Sequence, residues 1–206
     1  MERKLHWQIY IAALIVTIAI FGFGTYVGSF MAQQAASVAE RQLIEARQDL
    51  MEIELMLFLD SSYAYCPYYI EQFESIGSKR EMLGNQIESL EKRGEDPGSL
   101  KEEYFLFEAF NFAIGQRIAG MCQHEVKQAL YFYPKSCQEC KSIAEALGRL
   151  RESKGYYVYS FDGDSKLSLV MSMKKQYGIV SLPAVVCNGR TMQGAALNAE
   201  SIAEGC

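Results

Sequence analysis

The sequence predicts an α/β chain in three segments: an N-terminal transmembrane helix, an acidic α-helical region, and a βαβαββα domain. Three observations predict it. No Asp, Glu, Lys or Arg occurs in the 35 residues between Lys4 and Glu40. Apolar residues then recur at helical spacing as far as Lys127, and from Ala129 the pattern changes to alternating strand and helix. The segments are residues 1–32 (cytoplasmic tip and anchor), 33–128 (three helices) and 129–206. With 206 residues, 50% of them apolar and 12% aromatic, the chain suits one ordinary domain plus extra elements, and intrinsic disorder is excluded. The segments carry net charges of +1 (residues 1–39), −8 (40–128) and +2 (129–206), which sum to the −5 of the whole chain. No basic stripe exists, which argues against a nucleic-acid partner.

The first element is the run IYIAALIVTIAIFGFGTYVG, Ile9 to Gly28. A spanning helix needs about 20 mostly apolar residues. Trp7, Tyr10 and Tyr26 stand where aromatic rings favour the membrane interface. A cleaved signal peptide is the competing reading, with Val27-Gly28-Ser29 as its small-residue site, but such apolar regions are usually about 7–15 residues long. Length favours an anchor that stays. Arg3 and Lys4 precede the run and the first cations after it are Arg41 and Arg47, so the positive-inside bias sets the N-terminus in the cytoplasm and the rest outside. Gly24 and Gly28 form a small-xxx-small pair, so a homodimer through the transmembrane or first helix is a candidate.

Residues 33–59 read as the first helix of the acidic region, broken at Ser61-Ser62 and Cys66-Pro67. A second follows Pro67 to about Lys92. Ser99 with Glu102 reads as a capping box opening a third helix that continues toward Lys127. Its aromatic run, including Tyr104, Phe105, Phe107 and Phe110, is too apolar for a solvated stalk. Such helices form an antiparallel bundle or cover a face of the last segment. Antiparallel second and third helices bring Cys66 and Cys122 to one end, where an oxidising compartment favours a disulfide. His124 beside Cys122 invites a metal reading, but a metal site wants about four convergent ligands, and the chain has one other histidine, His6. No metal is expected.

In the last segment, strands are expected at 129–133, 155–161, 178–187 and 190–193, with Asn188-Gly189 as a hairpin turn. Helices are expected at 138–153, opening on Cys137, and at 166–177 and 198–203. Cys137-Gln-Glu-Cys140 therefore follows a buried strand and opens a helix. There the first thiol lies over unpaired N–H groups that stabilise thiolate, and the second can attack a mixed disulfide. Lys135 and Lys141 favour the thiolate; Glu139 opposes it.

Two motifs carry a resemblance: Tyr133-Pro134-Lys-Ser-Cys137-Gln-Glu-Cys140, and Tyr177-Gly-Ile-Val-Ser-Leu182-Pro183-Ala-Val-Val-Cys187-Asn-Gly189. Residues 129–206 resemble the thioredoxin-like superfamily, which implies a minimal thioredoxin-like fold. The resemblance implies Cys137 as nucleophile, Cys140 as resolving thiol, Pro183 as an active-site cis-proline, and Leu182 as substrate-binding through its backbone. It implies no cofactor. No Trp precedes Cys137, and Tyr131 stands where thioredoxin itself carries an acidic residue on its first strand, so the segment looks closer to glutaredoxin. Cys187 and Cys206 form a further disulfide, or Cys187 is a buried free thiol. Six cysteines allow 15 complete pairings, and the set 66–122, 137–140 and 187–206 respects the segment boundaries.

The expected function is a membrane-anchored thiol–disulfide oxidoreductase that forms, reduces or isomerises disulfides outside the cytoplasm. Its partners would be cysteine-containing protein substrates and a redox partner the sequence does not name. The alternatives are a non-catalytic thioredoxin-like subunit of a membrane complex, binding through its helical region, and a cytoplasm-facing reductase of inverted topology.

Overall fold

A computed structural model describes residues 7–59, 63–137 and 139–206. Arg3 and Lys4, on which the predicted orientation rests, lie outside the described residues, as do His6, Ser61, Ser62 and Gln138.

The first helix, α1, runs unbroken from Trp7 to Leu59. The sequence divides anchor from helical region at residue 32, but no proline or turn signal interrupts the chain there, and the helix continues through it. Within α1, Tyr10–Gly28 is long and apolar enough to cross a membrane, and none of that span is buried inside the protein. Thr17 and Thr25 donate their hydroxyls to the carbonyls of Ala13 and Gly22, each at 2.9 Å, so these polar groups are satisfied within the helix. Beyond the span, Ala39, Leu43, Ala46, Leu50, Ile53 and Leu57 form a buried stripe at alternating spacings of four and three.

Helix α2 spans Cys66–Lys92 and α3 spans Ser99–Cys122. Pro67 lies in the first turn of α2, where its missing N–H has no helical partner to lose. Ser99 is not the cap of α3. Gly98 occupies that position, no side chain caps the helix, and the Gly98 N–H is held by Asp96 Oδ1 at 3.0 Å, so the expected capping box is not formed. The helix ends at Cys122, short of the expected Lys127, because Gln123 turns left-handed at φ 51°.

Four strands follow: β1 (Gln128–Tyr133), β2 (Tyr157–Asp162), β3 (Ala184–Cys187) and β4 (Arg190–Gln193). Helices α4 (Cys140–Lys154), α5 (Ser168–Gln176) and α6 (Ala199–Gly205) lie between and after them. The sheet order is β2-β1-β3-β4, with β1 and β2 parallel and the other neighbours antiparallel. Alternation splits its side chains. Leu130, Phe132, Tyr159, Phe161, Ala184 and Val186 join α1–α3 and α5 in one core. Ala129, Tyr131, Val185 and Cys187 join α4 and α6 in a second. The helical region is therefore a layer of the fold, covering one face of a mixed four-stranded sheet.

Candidate active site

The register brings the two sequence motifs to one end of the sheet. Phe132 pairs with Ala184, so Tyr133, the last residue of β1, comes level with Pro183. From there the chain leaves through Pro134–Ser136 to Cys137. Cys137 and Cys140 are joined in a disulfide with Cα atoms 5.4 Å apart, and both are half-buried. Helix α4 opens on Cys140 rather than on Cys137, with Glu139 as its N-cap residue. The helix-dipole argument thus applies most directly to the second sulfur, while Cys137 stands in the loop before it. Ser142 Oγ donates to the Glu139 carbonyl at 2.8 Å, which tightens the first turn.

Neighbouring loops hold that segment in place. Gly163 N–H donates to the Tyr133 carbonyl at 2.7 Å, and Lys135 N–H donates to Asp164 Oδ2 at 2.9 Å. Lys174 Nζ in turn donates to the Gly163 carbonyl at 2.7 Å. A cleft of about 660 Å³ lies beside the loop, lined by Asp96, Lys101, Tyr133, Lys135, Asp164 and Lys166 among others. Five carboxylates (Glu91, Asp96, Glu102, Asp162 and Asp164) and three lysines line it, so it mixes both signs with an acidic excess.

Pro183 is buried and the Leu182–Pro183 bond is cis. Strand β3 begins only at Ala184, six residues later than expected. The preceding segment is held by a side chain instead of a strand ladder: Gln193 Oε1 accepts from the Val180 and Ser181 N–H groups at 2.8 and 3.1 Å. Leu182 lies over Gly163, where an added Cβ would come within 2.6 Å of Leu182 Cδ2. Among the described residues no hydrogen bond engages the Leu182 N–H or carbonyl. Val180, two residues before it, is 89% exposed.

The other cysteines lie elsewhere. Cys66 and Cys122 are bonded and buried, 56 positions apart, and tie the start of α2 to the end of α3. Cys187 and Cys206 form the third pair, joining β3 to the residue after α6, with Cα atoms 5.6 Å apart. His124 is exposed. Among the described residues, no group of three or more His, Cys, Asp or Glu side chains is arranged to hold a metal ion.

The sequence reading missed a buried polar cluster that connects the helices to the sheet. Arg80 of α2 and Glu108 of α3 are 5% and 1% exposed and form an ion pair at 3.3 Å. Arg80 also donates to the Val158 carbonyl, and Glu108 Oε2 accepts from the Ser160 N–H at 3.1 Å. Tyr104 donates to Glu108, and the Arg80 guanidinium lies 4.7 Å from the centre of the Tyr159 ring. Burial works against the Arg80 charge, but Glu108, Tyr159 and Tyr104 around it together outweigh that and hold its pKa above the ordinary value. A cleft of about 420 Å³ opens on this cluster. Tyr131, on its wall, keeps its hydroxyl buried without a hydrogen-bond partner among the described residues, and burial pushes that phenol up to about 12. The signal was in the pattern. Arg80 interrupts the stripe Phe73, Ile76, Leu83, Ile87 at a position where an apolar residue belongs.

No protein-family model matches the chain, and no curated protein matches it either. A solved structure described as "Structure of a malarial protein" is 20% identical over 39% of this chain and 92% of that chain, with a TM-score of 0.30. So slight a likeness carries no argument about fold or activity.

Proposed function

We propose that this chain is a membrane-anchored thiol–disulfide oxidoreductase whose residues 129–206 form a minimal thioredoxin-like module outside the cytoplasm. The Cys137–Cys140 disulfide, bonded across three positions at the opening of α4 and at the same sheet end as Pro183, is the observation that carries the reading. The strand order β2-β1-β3-β4, with helices on both faces, supports the thioredoxin-like assignment. The buried Cys66–Cys122 pair supports an oxidising compartment, and the apolar Tyr10–Gly28 span supports the anchor.

In the reduced state the Cys137 thiolate attacks a substrate disulfide. A mixed disulfide forms, and the departing substrate sulfur takes up a proton. Cys140 then attacks Cys137 Sγ, which releases the second substrate thiol and restores the 137–140 bond. Two electrons and two protons pass to the substrate, sulfur to sulfur, without a cofactor. The reverse sequence oxidises a substrate dithiol. The unengaged Leu182 N–H and carbonyl are available to pair with an extended substrate segment.

Replacing Cys140 by Ser tests the roles. That variant should accumulate covalent mixed disulfides through Cys137, visible on non-reducing gels, whereas Cys137→Ser should trap few or none. Equal trapping by both variants, or by neither with reducible substrates present, counts against the assignment and favours a non-catalytic subunit.

A further inference from the structure

The anchor continues without a break into the helical layer, and the course of the chain from there sets which end of the fold the disulfide occupies. The apolar span ends at Gly28, and α1 carries on as the same helix. Helix α2 returns antiparallel to it. Tyr68 donates to Glu52 at 3.1 Å, whereas Gln86, farther along α2, donates to Gln42, farther back along α1, at 2.9 Å. The turn between α2 and α3 therefore lies toward the membrane, where Glu40 shares a cleft with Pro97, Ser99 and Leu100. Helix α3 then rises away, and β1 descends against it. Gln128 at the start of β1 donates to the Phe112 carbonyl at 3.1 Å, while Tyr133 at its end lies under Lys101, 5.6 Å from Nζ to ring centre. The chain leaves Tyr133 for Cys137 at this lower end, and Lys135 lines one cleft with Asp96 and Gly98 of the α2–α3 turn. Cys66–Cys122 marks the opposite end, where α2 begins and α3 finishes.

The height follows from helix geometry. Glu40 is 12 residues beyond Gly28, which at about 1.5 Å per residue is ~18 Å. Headgroups occupy roughly 5–7 Å of that on each side of the hydrocarbon core. About 10 Å of water separates the level of Glu40 and Pro97 from the membrane. The end of α2 reaches lower still, where Arg93 shares a cleft with Gln34, and any tilt of α1 narrows the gap further. A small folded domain is about 30 Å across and does not fit such a gap. A single loop or extended segment does.

Resting on the oxidoreductase reading above, we infer that the redox partner of Cys137–Cys140 is a membrane-embedded protein that presents its cysteines in a short loop at the bilayer surface. In one direction, a partner thiolate attacks Cys137 Sγ and displaces Cys140 as a thiolate, which takes up a proton. The partner's second thiol then attacks its own half of the mixed disulfide and displaces Cys137. The partner loses two electrons and two protons, and the 137–140 pair gains both.

The test uses the oxidised full chain in phosphatidylcholine vesicles with synthetic single-span peptides. Each peptide carries a dithiol held about 10 Å or about 40 Å above the bilayer on a helical spacer. Oxidation of the near dithiol should be at least roughly tenfold faster than that of the far one, because both reactants are confined to one thin layer. Inserting about 18 helical residues (roughly five turns, about 27 Å) between Ala36 and Ser37 should shift the preference outward by a similar distance. Equal rates at both heights, or a faster far dithiol, overturn the inference, and the unmodified chain decides the matter if the insertion variant does not fold. Dithiothreitol separates the two readings: reaction with it alongside height-independent peptide rates sinks only the membrane-facing partner, whereas no reaction with any thiol sinks the oxidoreductase reading as well.

Discussion

Arg80 and Glu108 do for the outer edge of β2 what a neighbouring strand would do. The strand is at the margin of the sheet, and an unpaired edge carries a row of N–H and C=O groups open to other chains. Arg80 donates to the Val158 carbonyl and Glu108 accepts from the Ser160 N–H, so one ion pair closes two edge positions. Removing one partner leaves a buried charge alone, which typically costs about 3–5 kcal/mol, whereas replacing a simple buried pair by apolar residues is often neutral. This pair is not simple, because its loss also opens the strand edge. Arg80→Met should therefore lower stability by about 3–5 kcal/mol, and Arg80→Met with Glu108→Leu should still lie about 1–3 kcal/mol below the parent. Urea unfolding of the three proteins measures both differences. A double variant as stable as the parent would mean that the edge groups do not depend on the pair.

Elements were legible where a local signal has one physical cause, and illegible where two causes compete. Cys137-x-x-Cys140, the Asn188-Gly189 hairpin and the buried run of β1 each follow from short-range chemistry, and the structure has a disulfide, a tight turn and a central strand there. Helix ends are harder. Ser99 with Glu102 has the letters of a capping box, yet Asp96 holds the turn first and Gly98 takes the cap position, since glycine tolerates its φ of 49°. Asn198, which carried no such expectation, caps α6 reciprocally: its Oδ1 accepts from the Ser201 N–H and its own N–H donates to Ser201 Oγ, each at 2.9 Å. Likewise the apolar letters of 178–183 suit a strand, but Pro183 cannot donate to a ladder and the Gln193 side chain competes for the backbone. Asn198→Ala should therefore cost about 1 kcal/mol, and Ser99→Ala less than about half of that. Thermal unfolding monitored by circular dichroism distinguishes them, and the reverse order would restore the capping box that the sequence suggests.

At the scale of the whole molecule, the boundary drawn at residue 128 separates two sequence textures but not two cores. The charge balance changes there, and so does the periodicity, which is why the sequence divides so readily. Packing does not follow that division. Leu130, Phe132, Tyr159, Phe161, Ala184 and Val186, all beyond the boundary, belong to one continuous cluster with Leu43, Leu50, Phe73 and Phe107, all before it. Phe105 lies against Phe161 and Phe112 against Tyr159, with ring centres 5.6 and 5.5 Å apart. A fragment of residues 129–206 would keep α4 and α6 on one face and would strip most of the cover from the other. Each large side chain so exposed forfeits roughly 1.5–3 kcal/mol of burial, and five of the six are large (all but Ala184), against a typical total stability of about 5–15 kcal/mol. The edge of β2 would lose Arg80 and Glu108 as well. The fragment should therefore fail to fold alone, giving no dispersed amide resonances and strong aggregation, whereas residues 34–206 should unfold in one cooperative transition. A soluble fragment with a native-like sheet, or two separate transitions in the longer chain, would mean that the shared core contributes little and that the helices form a bundle of their own.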